Sequence, residues 1–173
     1  MKKDNRGASL IELIFVMAIL AVLACSVGLG INLISERPAN QCASKLKSMM
    51  QNNRVTTMGI WNARLEIYAD PAGGVFVKEV IRKAGGTETE EFTTLVDKGV
   101  TVQYKDNDGT YRLLGNNTAP LVISYNRSSG AFNDLSATDA SLAGKYCTEI
   151  TVSKGSTERT LKLSYLTGKI SLN

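Results

Sequence analysis

The spacing of apolar positions changes character twice along the chain. Residues 13–35 form a run of 23 without a single charge, bounded by Glu12 and Glu36. Coiled as a helix, such a run extends about 35 Å, enough to span a bilayer. Lys2, Lys3 and Arg6 stand ahead of it, and by the positive-inside tendency they hold the N-terminus in the cytoplasm and send everything after Ser35 outside. After Pro38, which suits the first turn of a helix, Ala39, Cys42, Ala43, Leu46, Met49 and Met50 recur at spacings of three and four. Lys45, Lys47, Ser48, Gln51 and Asn52 fall between them. The pattern predicts an amphipathic helix whose apolar stripe packs on a globular head while its other face stays wet.

From Ala63 onward the period is two. Leu65 and Ile67, then Val75 and Val77, alternate with polar or aromatic residues, and Asp70-Pro71-Ala72-Gly73-Gly74 separates the two runs as a turn. Further strands are predicted at 92–96, 100–105, 111–114, 121–126, 146–153, 160–166 and 169–172. Asp97-Lys98-Gly99, Asp108-Gly109, Gly155-Ser156 and Thr167-Gly168 supply the turns between them. Residues 127–130 and 134–144 read as longer loops, and Glu88, Glu90 and Glu91 as a solvated acidic loop. The fold class is α+β: a long N-terminal helix, amphipathic in its C-terminal half, packed on an antiparallel β-sheet head.

Composition narrows the chemistry. The 173 residues fit one folded domain of ordinary make-up and leave little room for a second. The net charge is +4, of which Lys2, Lys3 and Arg6 against Asp4 place +2 in the first seven residues, so the body is nearly neutral. There is no histidine, which removes the usual imidazole base, the Ser-His and Cys-His pairs and the commonest zinc ligand. Cys25, Cys42 and Cys147 are too few and too scattered for a four-thiolate zinc site. Neither a metal nor a cofactor is implied.

Three readings compete for the N-terminus: a cleaved secretory signal, a lipoprotein signal and a retained membrane helix. The apolar run is longer than a secretory signal requires. Val22-Leu23-Ala24-Cys25 comes close to a lipid-modified cysteine motif, but Glu12 would then lie inside the apolar core of the signal. Apolar Val27-Gly28-Leu29-Gly30-Ile31 would also follow where a polar tether is expected. Gly28 and Gly30 each weaken a helix by about 1 kcal/mol relative to Ala, so either the helix loosens there or small residues let helices pack closely. Glu12 is the odd residue, because an ionisable group at the start of a membrane helix is costly unless it is paired. It either acts in assembly, or snorkels to the headgroups and complements the helix N-terminal dipole.

The basic leader ending in Gly7, followed by Ala8-Ser9-Leu10-Ile11-Glu12-Leu13 and then Ile14-Phe15-Val16-Met17-Ala18-Ile19-Leu20-Ala21, resembles the class III signal of type IV prepilins and type II secretion pseudopilins. The resemblance implies that a prepilin peptidase cuts between Gly7 and Ala8, that the new terminus at Ala8 is N-methylated, and that Glu12 is the acid of an assembly charge pair with that amine. It also implies a single-pass protein, cytoplasmic at its N-terminus with the head outside, that later enters a pilus or pseudopilus. The partners implied are prepilin peptidase, other pilin or pseudopilin subunits, the inner-membrane assembly platform and membrane lipid. The layout divides as a leader over 1–7, a transmembrane or fibre-core helix over 8–35, an amphipathic helix over 36–58 and a β-rich head over 59–173. The head is similar to minor pseudopilins of the GspH/FimT type, on a helix ending near Asn53-Arg54-Val55, the strand Ala63-Arg64-Leu65-Glu66-Ile67, the segment Val122-Ile123-Ser124-Tyr125 and the close from Leu163 to Ile170.

Enzyme-like motifs are weak. Ser44-Lys45-Leu46-Lys47 satisfies a Ser-x-x-Lys pattern without the elements that accompany it in acyl enzymes. Asp106-Asn107-Asp108-Gly109 lacks the full set of alternating acids and the later glutamate of a calcium loop and reads as a solvated hairpin turn. The expectation is a non-catalytic pilin-like subunit acting in fibre assembly and protein secretion. The alternatives are a DNA-binding minor pilin for uptake and an anchored extracytoplasmic domain without a fibre. Lys162 and Lys169 are the basic residues near the C-terminus, and from Ser35 onward seventeen basic residues face fourteen acidic ones, too small an excess for strong DNA binding. Cys42 and Cys147 both fall outside the membrane, where a bridge would close a loop of about 105 residues worth up to about 4–5 kcal/mol; two buried thiols are the other outcome.

Overall fold

The computed structural model describes residues 10–59, 62–83, 85–96, 98–115 and 119–173, with the side-chain surroundings of 23–36 outside the description. An N-terminal helix is followed by antiparallel β-sheets, consistent with an α+β, pilin-like chain. Helix α1 is Leu10–Gly59, and the chain divides into two compact units, Met1–Arg37 and Pro38–Asn173.

In the second unit the helical stripe behaves as its spacing requires. Ala39, Cys42, Ala43, Leu46 and Met50 are fully buried, with Met49 packed against them, whereas Gln41, Ser44, Lys45 and Ser48 are exposed. One expectation for this helix is corrected. Pro38 does not open a new helix but lies inside α1; a proline there removes one backbone donor without removing the stripe that follows. The helix ends at Gly59, one residue beyond the 36–58 expected, and its buried stripe extends through polar residues in the last turns. Asn53 and Thr57 are buried one and two turns beyond Met50. Asn53 Nδ2 donates to Glu79 Oε1 at 3.0 Å, and Thr57 Oγ1 donates to the carbonyls of Asn53 and Ala63 at 2.9 and 3.2 Å. With Asn53 Nδ2 and the Thr57 hydroxyl paired in this way, polar side chains occupy core positions that a hydrophobicity pattern leaves out, although Asn53 Oδ1 is buried without a hydrogen-bond partner among the described residues.

Among the described residues nine strands follow: β1 Asn62–Ala69, β2 Val75–Arg82, β3 Glu88–Val96, β4 Thr101–Asp106, β5 Tyr111–Leu114, β6 Leu121–Ser124, β7 Cys147–Lys154, β8 Thr157–Ser164 and β9 Lys169–Leu172. They form a four-stranded sheet in the order β3-β2-β1-β6 and a five-stranded sheet in the order β5-β4-β7-β8-β9, with every pairing antiparallel. Alternation decides which faces meet. Leu65 and Ile67 of β1, Val75 and Val77 of β2, Val102 of β4, Ile150 and Val152 of β7 and Leu161 of β8 enter one core with the helical stripe. The Tyr125 hydroxyl donates to the Met50 carbonyl at 2.9 Å inside it.

The acidic cluster Glu88, Glu90 and Glu91 is not a loop, as its composition suggested, but the opening of strand β3. Its register explains this, since Glu90 lies against Val80 and Glu88 against Arg82. Lys78 Nζ reaches Glu90 at 2.6 Å, and Arg82 Nε reaches Glu88 at 3.6 Å. Charges on the outermost strand of a sheet also discourage further strand pairing. Between β6 and β7 the chain makes two short 3-10 turns, Leu135–Ala137 and Ala140–Leu142, in the region expected to be a loop.

Candidate functional site

Ten of the thirteen residues from Leu10 to Val22 are large and apolar, and all thirteen side chains are exposed. Leu10 is 78% exposed, Phe15 64% and Val22 66%, so apolar side chains are exposed on every side of this segment. A helix apolar on all sides is stable only when something else surrounds it. Glu12 stands in the first turn, exposed on the same segment. Gly7 and Ala8, the residues on either side of the expected cut, lie outside the described residues, as does the leader. Among the described residues no helix is long and apolar enough to cross a membrane. The charge-free run 13–35 is described in its side chains only as far as Val22, and Gly28 and Gly30 lie beyond that point within α1.

The head holds its polar side chains in structural roles. Asp106, at the end of β4, has a fully buried carboxylate. Its Oδ1 accepts from the backbone N–H groups of Asp108 and Thr110 at 3.1 and 2.9 Å, closing the β4–β5 turn. Its Oδ2 meets Arg112 Nη2 at 3.3 Å and Lys145 Nζ at 4.0 Å. Burial pushes this carboxyl up, but the two turn N–H groups, Arg112 and Lys145 outweigh it and hold Asp106 below the usual carboxylate range. The turn is therefore a hairpin turn as expected, although its first acid is buried instead of solvated. On β1, Glu66 accepts from Arg64 Nε at 2.9 Å and from the Tyr68 hydroxyl at 2.7 Å. Burial, then Glu66 and Glu90, push the Tyr68 hydroxyl up to about 12.

Cys42 and Cys147 belong to the same buried core, and both are free thiols: the bridge weighed from their location is not formed in this structure. Burial pushes Cys42 up to about 12 and raises Cys147 as well, so neither is a reactive thiolate. Ser44 and Lys47 sit on the outer part of the helix, Ser44 exposed and Lys47 half-buried. Lys162 and Lys169 are exposed on neighbouring strands, Lys162 opposite Ser171 and Lys169 opposite Ser164.

Arg54 was passed over in the sequence, where it reads only as part of a helix end. Its Nε donates to the Gly130 carbonyl at 2.9 Å and its Nη2 to the Thr167 carbonyl at 2.8 Å, tying the helix to the 126–131 turn and to the β8–β9 hairpin. An arginine placed one position from the extrapolated buried stripe was the only local signal.

Residues 2–24 match the family model of the prokaryotic N-terminal methylation motif. No curated protein and no solved structure matches the chain. The motif supports the pilin and pseudopilin superfamily and indicates a pilin-type or pseudopilin-type precursor. Such a signal implies processing by prepilin peptidase and assembly with other pilins, in a family that is generally structural.

Proposed function

We propose that the protein is a non-catalytic, pilin-like structural subunit, a minor pilin or pseudopilin of a type IV pilus or type II secretion machine, acting in fibre assembly and protein secretion. The observation that carries this reading is the coincidence of the methylation motif over residues 2–24 with a helix whose apolar side chains are exposed on every side from Leu10 to Val22. Lipid covers such a helix before assembly, and the helices of neighbouring subunits cover it afterwards. In this reading prepilin peptidase cuts between Gly7 and Ala8, Ala8 is N-methylated, and Glu12 pairs with the Ala8 amine of its own or an adjoining subunit. That pair sets the stagger between helices, because an unpaired carboxylate in an apolar surrounding is expensive. The helix-then-sheets order and the closing β8–β9 hairpin support a head of the GspH/FimT type. The head faces away from the cytoplasm, and its charges favour protein contacts over DNA.

Intact mass spectrometry of the protein purified from membranes tests the reading. The mature chain is expected to begin at Ala8 with one added methyl group, and Gly7→Val is expected to leave the precursor uncut. A mature terminus at a lipidated Cys25, or an unprocessed wild-type chain in a host with prepilin peptidase, would overturn it.

A further inference from the structure

The loops after β6 and the tip of the β8–β9 hairpin border an open cavity of about 590 Å³ on the head, within the range of about 300–1,000 Å³ typical of small-molecule sites. Asn126, Asn133 and Asp134 line it, together with Tyr146 and Tyr165, whose rings stack with centroids 4.8 Å apart and planes 27° apart. Among the described lining residues none is basic, and Asp134 is the one acid.

That lining selects a chemistry by exclusion and by fit. An anion would find no counter-charge and would face a carboxylate. A wholly apolar ligand would strip water from the asparagines and Asp134 without replacing its hydrogen bonds. A pyranose offers both of the things the walls ask for. Its C–H face suits the electron-rich face of an aromatic ring, and its hydroxyls donate to carboxylate and amide oxygens while accepting from amide N–H groups.

The groups are held in place before any ligand arrives. The Phe132 N–H donates to the Tyr165 carbonyl at 2.9 Å, fixing the hairpin tip against the loop. Asn133 donates through its backbone N–H to the Ser124 carbonyl and through Nδ2 to Ser124 Oγ, both at 3.0 Å, which fixes its amide at the wall of the cavity. Asp134 accepts one hydrogen bond on each oxygen, from the Ser136 hydroxyl at 2.6 Å and the Gly144 N–H at 2.8 Å. Those bonds hold it ionised, and a carboxylate has further lone pairs for a ligand's hydroxyls. Arg54 buttresses the same two loops from behind through Gly130 and Thr167. Preorganisation of this kind lowers the ordering cost of binding.

We propose that this cavity binds a neutral sugar, with a pyranose ring against Tyr165 and its hydroxyls on Asn133 and Asp134. The site is separate from the assembly segment, so it adds recognition of a glycan to a subunit whose proposed task is structural.

The test uses the full chain in zwitterionic micelles free of sugar headgroups, titrated with glucose, galactose, mannose, N-acetylglucosamine and N-acetylgalactosamine by saturation-transfer NMR and calorimetry. At least one sugar is expected to bind saturably, at about millimolar Kd or tighter. Tyr165→Ala and Asn133→Ala are expected to weaken it about tenfold or more, whereas Tyr165→Phe, which keeps the ring, and Glu88→Gln on distant β3 leave it within about threefold. A urea midpoint unchanged in Asn133→Ala separates lost contact from lost fold. No saturable binding of any of the five, or binding indifferent to both Tyr165→Ala and Asn133→Ala, overturns the proposal.

Discussion

Asp106 shows how much a single residue's meaning depends on what surrounds it. In the sequence it is the first acid of Asp106-Asn107-Asp108-Gly109, a turn motif; in the fold it is a buried carboxylate that closes the turn and gathers Arg112 and Lys145. Its carboxyl is held below the unfolded value of about 4, so the stability it contributes is present above that pH and is lost as pH falls through the folded value. Asp106→Asn is expected to destabilise the protein by about 2–3 kcal/mol near neutrality, since Arg112 loses its carboxylate, Lys145 keeps only Asp108, and the turn N–H bonds to Oδ1 weaken. Urea titrations at neutral and acid pH check this: the gap between wild type and variant should narrow in acid, and a gap equal at both would deny the carboxylate its role. Cys42 and Cys147 belong to the same scale. With both thiols buried and their ionisation suppressed, peptide mapping after alkylation is expected to find each unlinked and unmodified in the native protein and labelled after denaturation. Recovery of a linked pair would restore the bridge.

Two elements carry consequences that no one residue reveals. The β8–β9 hairpin turns at Gly168, whose φ is +66°, and a Cβ there would run into the Gly130 carbonyl oxygen that Arg54 also uses. Gly155, in the β7–β8 turn at φ +59°, has nothing within 4 Å of the same position. Both substitutions strain the backbone, but only one also collides. Gly155→Ala is expected to cost about 1 kcal/mol and Gly168→Ala about 3 kcal/mol or more, read as shifts in the urea midpoint. Equal costs would mean the hairpin tip is not pressed against the 126–131 turn. The apolar helix makes the second case. Glu12→Ala and Glu12→Gln are expected to leave membrane insertion intact while lowering incorporation into fibres, because the Ala8 amine then lacks its counter-charge. Co-purification with partner pilins measures it, and undiminished recovery of Glu12→Ala would show that the pair is dispensable.

Across the whole molecule, local pattern and tertiary context divided the work unevenly. The helical stripe Ala39, Cys42, Ala43, Leu46 and Met50 and the strands from β4 to β9 were legible because burial on one face imposes a period of 3.6 or 2 on the sequence itself. The methylation motif over residues 2–24 was legible for a related reason: it is carried by a linear stretch of the chain. Glu88 to Glu91 were misread because exposed acidic residues resemble a loop until the register supplies Lys78 and Arg82 across the strand. Asn53 and Thr57 were not legible as core, since polar residues enter a buried stripe only where groups such as Glu79 and the Ala63 carbonyl receive them. The cavity of Asn133, Asp134, Tyr146 and Tyr165 left no linear trace at all. Its residues come from a loop, the approach to β7 and the tip of β8–β9, and only the packing of two sheets on one helix brings them together. The sequence by itself thus determined the N-terminal methylation motif, the periods of its elements and the apolar character of its first helix, all of which are properties of neighbours along the chain. Strand order, the pairing of buried polar groups, the free state of Cys42 and Cys147 and the walls of the cavity were decided by tertiary structure, because each depends on groups that meet only once the chain has folded.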